Sequence, residues 1–268
     1  MSIEALIFDV DGTMADTEEA HRVAFNLAFQ RFRLGWEWQP SEYRELLKVA
    51  GGKERIGHYI DTLPADTGAT ERHRLHALVP DLHAEKTRFY SSFVNDGAVP
   101  LREGIARLIA DARSAGCRLG IASTTTAINI DKLLRSTLGA ESKTLFDVIA
   151  CGDEVSAKKP APDIYLHALR RLRLSPTRCV AVEDSLNGLR AATAAGLWTV
   201  ITPNFWTADY DFSGAPLVLP RLGEPHRPLP GEPGHHLLSA AWLTFDELRQ
   251  QVARRPLVDL SANPRRPA

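Results

Sequence analysis

The stretch Ala5-Leu6-Ile7-Phe8-Asp9-Val10-Asp11-Gly12-Thr13 decides how the rest of the chain is read. Its four leading apolar residues predict a buried strand, and Gly12 turns the backbone just after two carboxylates. Acids two residues apart on extended backbone face the same way, and the carboxyl end of a strand in an open α/β sheet is where ligands bind. There, one acid is placed to attack while the other handles protons. Taken alone, the string also fits an ordinary strand end with a polar turn, because short motifs match by chance. The downstream sequence weighs against that plainer account.

From Asp16 to about Asn95 the pattern is helical. Ala20, Val23, Ala24, Leu27 and Ala28 recur at helical spacing, Asp16 with Glu19 resembles a capping box, and Ser41 and Thr70 offer further helix starts. A helical insert thus follows the first strand. From Leu101 the chain alternates: helix 101–115 closed by Gly116, strand 117–123, helix, strand 146–151, helix from Pro162, strand 179–183, helix closed by Gly196, strand 197–201. Such alternation predicts an α/β fold with a parallel sheet and crossover helices. Residues 203–236 are rich in Pro and Gly, Thr244 with Glu247 caps a last helix, and the Arg/Pro-rich end predicts disorder. The expected division is a core of residues 1–15 and 96–258, a helical cap of residues 16–95, and a disordered tail over 259–268.

The chain has 268 residues, 44% of them hydrophobic and 24% charged, with a formal net charge of −1, an ordinary balance for a globular protein with a sizeable core. No run of Lys and Arg interleaves with aromatics, which argues against nucleic acid as a partner. No apolar stretch approaches the length of a membrane span, and the short lead before the first strand leaves no room for a signal peptide. Cys117, Cys151 and Cys179 sit in or beside apolar strand-like runs without metal-type spacing, so reduced, buried thiols and a cytoplasmic setting are expected. The expected partner is a small molecule, and the expected state a monomer.

Three more strand ends carry chemistry. Ile121-Ala122 runs into Ser123, Thr124, Thr125 and Thr126, placing hydroxyls and free amides at a helix N-terminus, which suits an anion and equally suits a plain N-cap. Lys158-Lys159-Pro160-Ala161-Pro162-Asp163 sets two of the seven lysines on a stiff loop, although a surface pair is the simpler account. Val180-Ala181-Val182 ends in Glu183-Asp184-Ser185-Leu186-Asn187-Gly188, a second acid pair at a second strand mouth. Acids at two such mouths can share a hard cation, whereas N-capping by Asp184 would explain only one end.

In this order, D-x-D-G-T, a strand ending in Ser/Thr, K-P-x-P-D and E-D-S-x-x-G resemble the four motifs of the haloacid dehalogenase-like hydrolase superfamily over residues 3–202. Asp16-Thr17-Glu18-Glu19 with His21, Tyr43-Arg44-Glu45-Leu46-Leu47 and Gly51-Gly52-Lys53-Glu54-Arg55-Ile56 narrow the resemblance to the CbbY branch, phosphatases of xylulose-1,5-bisphosphate. The resemblance implies a Rossmann-like doubly wound core with a small α-helical cap inserted after the first strand.

It further implies that Asp9 is the nucleophile and forms an aspartyl phosphate, with Asp11 as general acid and then general base. Mg2+ is implied at Asp9, the Asp11 carbonyl and Asp184, with Glu183 orienting metal-bound water. Ser123 and Lys159 would hold the transferring phosphoryl group, Lys159 matching the motif because it directly precedes Pro160. In the cap, Lys53 and Arg55 on a flexible Gly51-Gly52 loop would grip a second phosphate, while Glu18, His21 and Tyr43 would bond sugar hydroxyls and Thr124 and Thr125 would line the substrate. Each cap residue also has a plainer account: packing for Tyr43, first-turn charge for Glu18, a solvated position for His21. A β-phosphoglucomutase-like mutase is the alternative activity, weakened because Thr125, Thr126 and Ala127 stand where that enzyme carries Ser-Lys-Asn. A non-catalytic binding protein on the same fold is the third possibility.

Overall fold

A computed structural model of the chain describes residues 2–230, 237–238 and 240–254. One parallel sheet holds β1 (Ala5–Phe8), β2 (Arg118–Ala122), β3 (Val148–Ala150), β4 (Cys179–Glu183), β5 (Trp198–Ile201) and β6 (Leu217–Val218), in the order β3-β2-β1-β4-β5-β6. Four helices lie between β1 and β2 ahead of a fifth: α1 (Glu18–Arg31), α2 (Pro40–Leu46), α3 (Gly52–Thr62), α4 (Ala69–Asn95) and α5 (Ile105–Ser114). The others are α6 (Ala127–Leu138), α7 (Asp163–Leu172), α8 (Leu186–Ala194) and α9 (Phe245–Ala253).

Period-two alternation sends Leu6, Phe8, Val180 and Val182 into a core shared with α5, α6 and α9. Ala5, Ile7, Cys179 and Ala181 enter a second core under α7 and α8. Both faces are therefore covered, which is why these strands read as unbroken apolar runs. Leu6, Ile7 and Phe8 are fully buried, each contributing roughly 1.5–3 kcal/mol. Phe8 stands opposite both Ile121 and Val182, so the residues after β1, β2 and β4 emerge at one level. Chain direction across the sheet reverses between β1 and β4, the place where open sheets bind ligands.

The helical insert has a core of its own, built from Phe25, Phe29, Trp38, Tyr43, Ile56, Ile60 and Leu82. Trp206, from the Pro/Gly-rich stretch that follows β5, joins it. That stretch also supplies β6, a two-residue edge strand the sequence pattern did not predict.

Several expected helix starts differ from the observed ones. Thr17, not Asp16, is the N-cap of α1 and makes no side-chain cap bond; Asp16 lies beside Arg102 (3.4 Å) and Glu19 pairs with Arg22. Ser41 and Thr70 fall inside the first turns of α2 and α4, whose N-caps are Gln39 and Gly68. Capping by Asp184 is likewise overturned: Ser185 Oγ accepts from the Gly188 amide (3.1 Å), which leaves Asp184 for other duty. Thr244 caps α9 as expected, its side chain accepting from the Glu247 amide (3.0 Å). The three cysteines are free and buried. The expected disordered tail, 259–268, lies outside the described residues, as does the end of the expected core, 255–258. Among the described residues no helix is long and apolar enough to cross a membrane.

Candidate active site

Asp9 follows β1 directly, and its amide donates to the Val182 carbonyl (3.0 Å), seating the carboxylate over the gap between β1 and β4. Lys159 arrives from the loop before α7. Its ammonium donates to Asp9 Oδ1 (2.6 Å), Glu183 Oε1 (2.6 Å) and the Ala122 carbonyl (2.9 Å). All three of its donors are used, so its direction is set. The Tyr165 hydroxyl donates to the same Glu183 oxygen (2.6 Å). A Cβ at Gly188 would overlap the Glu183 carboxylate, so this buried acid is packed on every side. Glu183 thus acts as the anchor of Lys159.

Asp9, Glu183 and Asp184 are all buried and bring ligand oxygens within 4.8 Å of one another. Lys159 offsets one of these three charges. Burial, with Glu183 repelling and Lys159 opposing, lifts Asp9 to about 7. Burial and repulsion from Asp9 and Glu183 push Asp184 well above the ordinary carboxylate range. Lys159 stays above its ordinary value, because Asp9 and Glu183 outweigh the burial that works against its charge. A desolvated excess of hard oxygen donors is chemistry suited to a divalent cation such as Mg2+, and these residues fit one. Thr13 Oγ1 donates to Asp184 Oδ1 (3.1 Å) and Asn204 Nδ2 to Asp184 Oδ2 (2.8 Å). Gly12, at φ +81°, leaves room for both, since a Cβ there would collide with Asp184 and Asn204.

Asp11 faces the cap instead. Lys86 Nζ lies 2.7 Å from His21 Nδ1, and His21 Nε2 lies 3.0 Å from Asp11 Oδ1. An ammonium only donates, so Nδ1 must accept and Nε2–H must donate to Asp11. Burial and Lys86 hold the imidazole below its ordinary value, which keeps it in this neutral form. Burial also lowers Lys86, to about 8. Asp11 is pushed up by burial, yet the His21 side chain against it wins and draws it down to about 2.

Tyr43 is fully buried in the core of the cap. Its hydroxyl donates to Glu18 Oε2 (2.8 Å) and accepts from Arg55 Nη1 (3.0 Å), while Arg55 Nε donates to the Leu46 carbonyl (3.1 Å). The expected flexible Gly51-Gly52 loop is instead the start of α3, with Gly51 at φ +94° as its N-cap. Lys53 is exposed in that first turn and Arg55 is buried.

A cavity of about 440 Å3 separates the strand ends from the cap, and every expected site residue except Tyr43, Ser123 and Glu183 lines it. Tyr43 reaches it only through Glu18 and Arg55, so the packing account of Tyr43 is the one the geometry supports. Ser123 is 1% exposed and accepts the Thr125 amide on its Oγ (3.3 Å); it shapes the loop that presents Thr124 and Thr125. Gly152 allows this loop to close, because a Cβ there would overlap the Thr124 carbonyl.

Lys86, His83 and Asn204 escaped the sequence analysis, and Lys158, quoted there beside Lys159, lines the cavity as well. Lys86 had a signal: it interrupts the stripe Leu82, Tyr90, Val94 on the buried face of α4, where a lysine needs a partner. His83 sits among Lys86, Lys53 and Lys158, and burial together with those charges lowers it to about 3. Its place against Gly52, where a Cβ would lie 2.7 Å from the ring, depends on how α3 and α4 pack and has no local signature.

Residues 3–196 match the haloacid dehalogenase-like hydrolase family. The chain is 49% identical to the plasmid-borne Protein CbbY of Cupriavidus necator over 92% of its own length and 96% of that protein. It is 32% identical to a phosphorylated carbohydrates phosphatase of Thermotoga maritima, over 73% of this chain and 82% of that one. Among solved structures it resembles CbbY from Rhodobacter sphaeroides, a variant of which was solved with xylulose-1,5-bisphosphate, at TM-score 0.75 and 46% identity over 82% of this chain and 94% of that chain. With the family match spanning most of the sequence and relatives this similar over nearly all of it, the chain belongs to the haloacid dehalogenase-like hydrolases, within the CbbY branch, and is a phosphatase.

Proposed function

We propose that the chain removes a phosphate from a sugar bisphosphate, xylulose-1,5-bisphosphate, in two steps through Asp9. The observation that carries this is the placing of Asp9 with Lys159 at the floor of a cavity whose opposite wall carries Lys53, Arg55 and Lys86. A substrate with an anion at each end fits between such walls, and the CbbY relative solved with that bisphosphate supports the choice.

In the first step an Asp9 carboxylate oxygen attacks phosphorus, the bond from phosphorus to the sugar oxygen breaks, and Asp11 gives that oxygen a proton. In the second, Asp11 takes a proton from a water that attacks the phosphorus, releasing phosphate and restoring the Asp9 carboxylate. His21 orients Asp11 from the cap side and favours its ionised form, which suits the base of the second step; for the first step the incoming phosphate dianion beside Asp11 favours its protonated form, the one that can give the sugar oxygen a proton. Lys159 stabilises charge developing on the phosphoryl oxygens, its direction already set by Glu183 and the Ala122 carbonyl. Thr124 and Thr125, at the N-terminus of α6, add hydroxyls and the positive end of that helix. Asp9, Asp184 and the Asp11 carbonyl would hold Mg2+, which supplies charge neutralisation for the phosphate dianion.

Residues 16–95 then act as the cap and the flanking segments as the catalytic core, a division supported by the separate aromatic core of α1 to α4. The buried, free cysteines support a cytoplasmic setting. Phosphate release across pentulose and hexose mono- and bisphosphates, with and without chelator, tests the proposal. Preference for the pentulose bisphosphate and loss of turnover on chelation are expected; turnover of a hexose 1-phosphate into its 6-phosphate isomer, primed by a bisphosphate, would favour the mutase instead.

A further inference from the structure

The turn after β5, which no motif covers, touches both halves of the molecule within six residues. Asn204 Nδ2 donates to Asp184 Oδ2 (2.8 Å) and to the Gly12 carbonyl (3.2 Å). Its Oδ1 accepts from the Trp206 amide (2.8 Å) and from Thr207 Oγ1 (3.3 Å), which assigns the orientation of the amide group. Trp206 is 8% exposed and lies in the core of the cap, its ring edge-to-face with Tyr43 at 5.5 Å. Next to it, Arg44 of α2 donates to the Phe205 carbonyl (2.7 Å) and pairs with Asp209. The turn is pinned where it begins: Arg102 donates to the carbonyls of Gly12 (2.5 Å), Thr202 (2.7 Å) and Pro203 (2.8 Å). Farther on, the Arg44 contacts hold it to the cap, before Tyr210 and Phe212 pack against Ile201 and Leu189.

We propose that Asn204 positions the Asp184 carboxylate and that Trp206 ties this setting to the seat of the cap. Asp184 has one donor on each oxygen, Thr13 and Asn204. Losing the second frees the carboxylate to turn about its terminal torsion, which is broad for Asp. Asn204 in turn cannot rotate without giving up the Trp206 amide. A shift of the cap therefore reaches the acidic cluster through two residues, and metal affinity at the strand ends depends on a tryptophan lodged in the cap. This rests on Asp184 holding the metal, as proposed above.

The test is calorimetric titration of Mg2+ into the intact, substrate-free chain, with thermal unfolding of each variant as a check of folding. Asn204→Ser keeps a hydroxyl for the turn but cannot reach Asp184, and should weaken Mg2+ binding about 10-fold, the usual scale for residues that orient a metal ligand. Trp206→Ala should weaken it roughly 3- to 10-fold although Trp206 touches no carboxylate. Trp206→Leu keeps an apolar plug should the alanine variant not fold, and carries the same expectation. Trp36→Ala opens the same aromatic core against Phe29 and Tyr59 without touching the turn, and should leave Mg2+ affinity unchanged. Equal weakening by Trp36→Ala would overturn the tether in favour of general loosening. Unchanged affinity in Asn204→Ser while Asp184→Asn loses binding would overturn it with the metal assignment intact. Unchanged affinity in Asp184→Asn would remove the metal assignment and the tether together.

Discussion

The floor and the roof of the cavity differ in how their polar and charged groups are held. On the floor, Asp9, Glu183 and Asp184 leave the ends of adjacent parallel strands whose register is locked, and Lys159 is fixed by three acceptors. On the roof, Lys53, Arg55, His83 and Lys86 project from two helices, α3 and α4, and reach the cavity through packing. A strand end dictates where its next residue goes, whereas a helical residue goes where tertiary contacts send its face. The proposed mechanism assigns chemistry to the floor and selectivity to the roof, and the first way to break that contrast is to remove one group from each.

Asp9→Asn carries the largest expected effect. An amide cannot form the acyl phosphate, so kcat should fall at least ~1,000-fold on every substrate, about 4 kcal/mol or more. The protein should still fold. Burial raises Asp9 to about 7, above its unfolded value, so its charged form is costly in the metal-free fold and a neutral amide relieves that. Phosphate release and thermal unfolding check both parts; residual activity of several per cent would remove Asp9 as nucleophile.

The roof sharpens the contrast through two neighbours. Lys53 is exposed and touches the cavity, so Lys53→Ala should lower kcat/KM for xylulose-1,5-bisphosphate about 10- to 100-fold and barely alter hydrolysis of a small generic ester. Arg55→Ala should lose on both substrates and also lower the melting temperature, because Arg55 holds the Leu46 carbonyl and the Tyr43 hydroxyl inside the cap. Equal, unselective losses from Lys53→Ala would end the idea of an anion grip there.

The same contrast explains what could be read from sequence. β1 to β5 and the acids at their mouths were legible because apolar runs, strand ends and turn residues are local signals. β6 was not, since two residues on a sheet edge carry no pattern. Asp9, Asp11, Lys159 and Asp184 line the cavity as expected, while Ser123 shapes the loop from behind. In the cap, the string that marked Tyr43 and Arg55 was informative about family but not about which atoms face the cavity. Asn204 and His83 were invisible: one acts across a contact between residues 12, 184 and 204, and the other depends on how α3 meets α4.

His83 gives a test by pH. Its folded value of about 3 lies below the unfolded value near 6.5, so the unfolded chain binds the extra proton between those limits. Stability contributed by the neutral ring is therefore present above about pH 6.5 and lost as pH falls toward 3. His83→Gln should flatten the decline of melting temperature across that window and leave the value at pH 8 nearly unchanged. An identical acid limb in the variant would show that burial and the three lysines do not hold this ring neutral.

Tyr43→Phe carries the smallest effect on turnover and separates the two accounts of this residue most cleanly. If the hydroxyl bonded the sugar, its loss would raise KM for xylulose-1,5-bisphosphate. The ring is instead fully buried, away from the cavity, and the hydroxyl links Glu18 to Arg55. Removing it leaves a buried guanidinium N–H without its acceptor, at a cost of about 1–3 kcal/mol. For a protein of this size that corresponds to a fall in melting temperature of roughly 2–12 °C. The ring keeps its place against Phe25, Trp38 and Trp206, so the cap remains assembled and turnover should stay within about 3-fold of the parent. A large rise in KM with an unchanged melting temperature would return Tyr43 to the substrate and show that the roof moves, on binding, to bring it into the cavity.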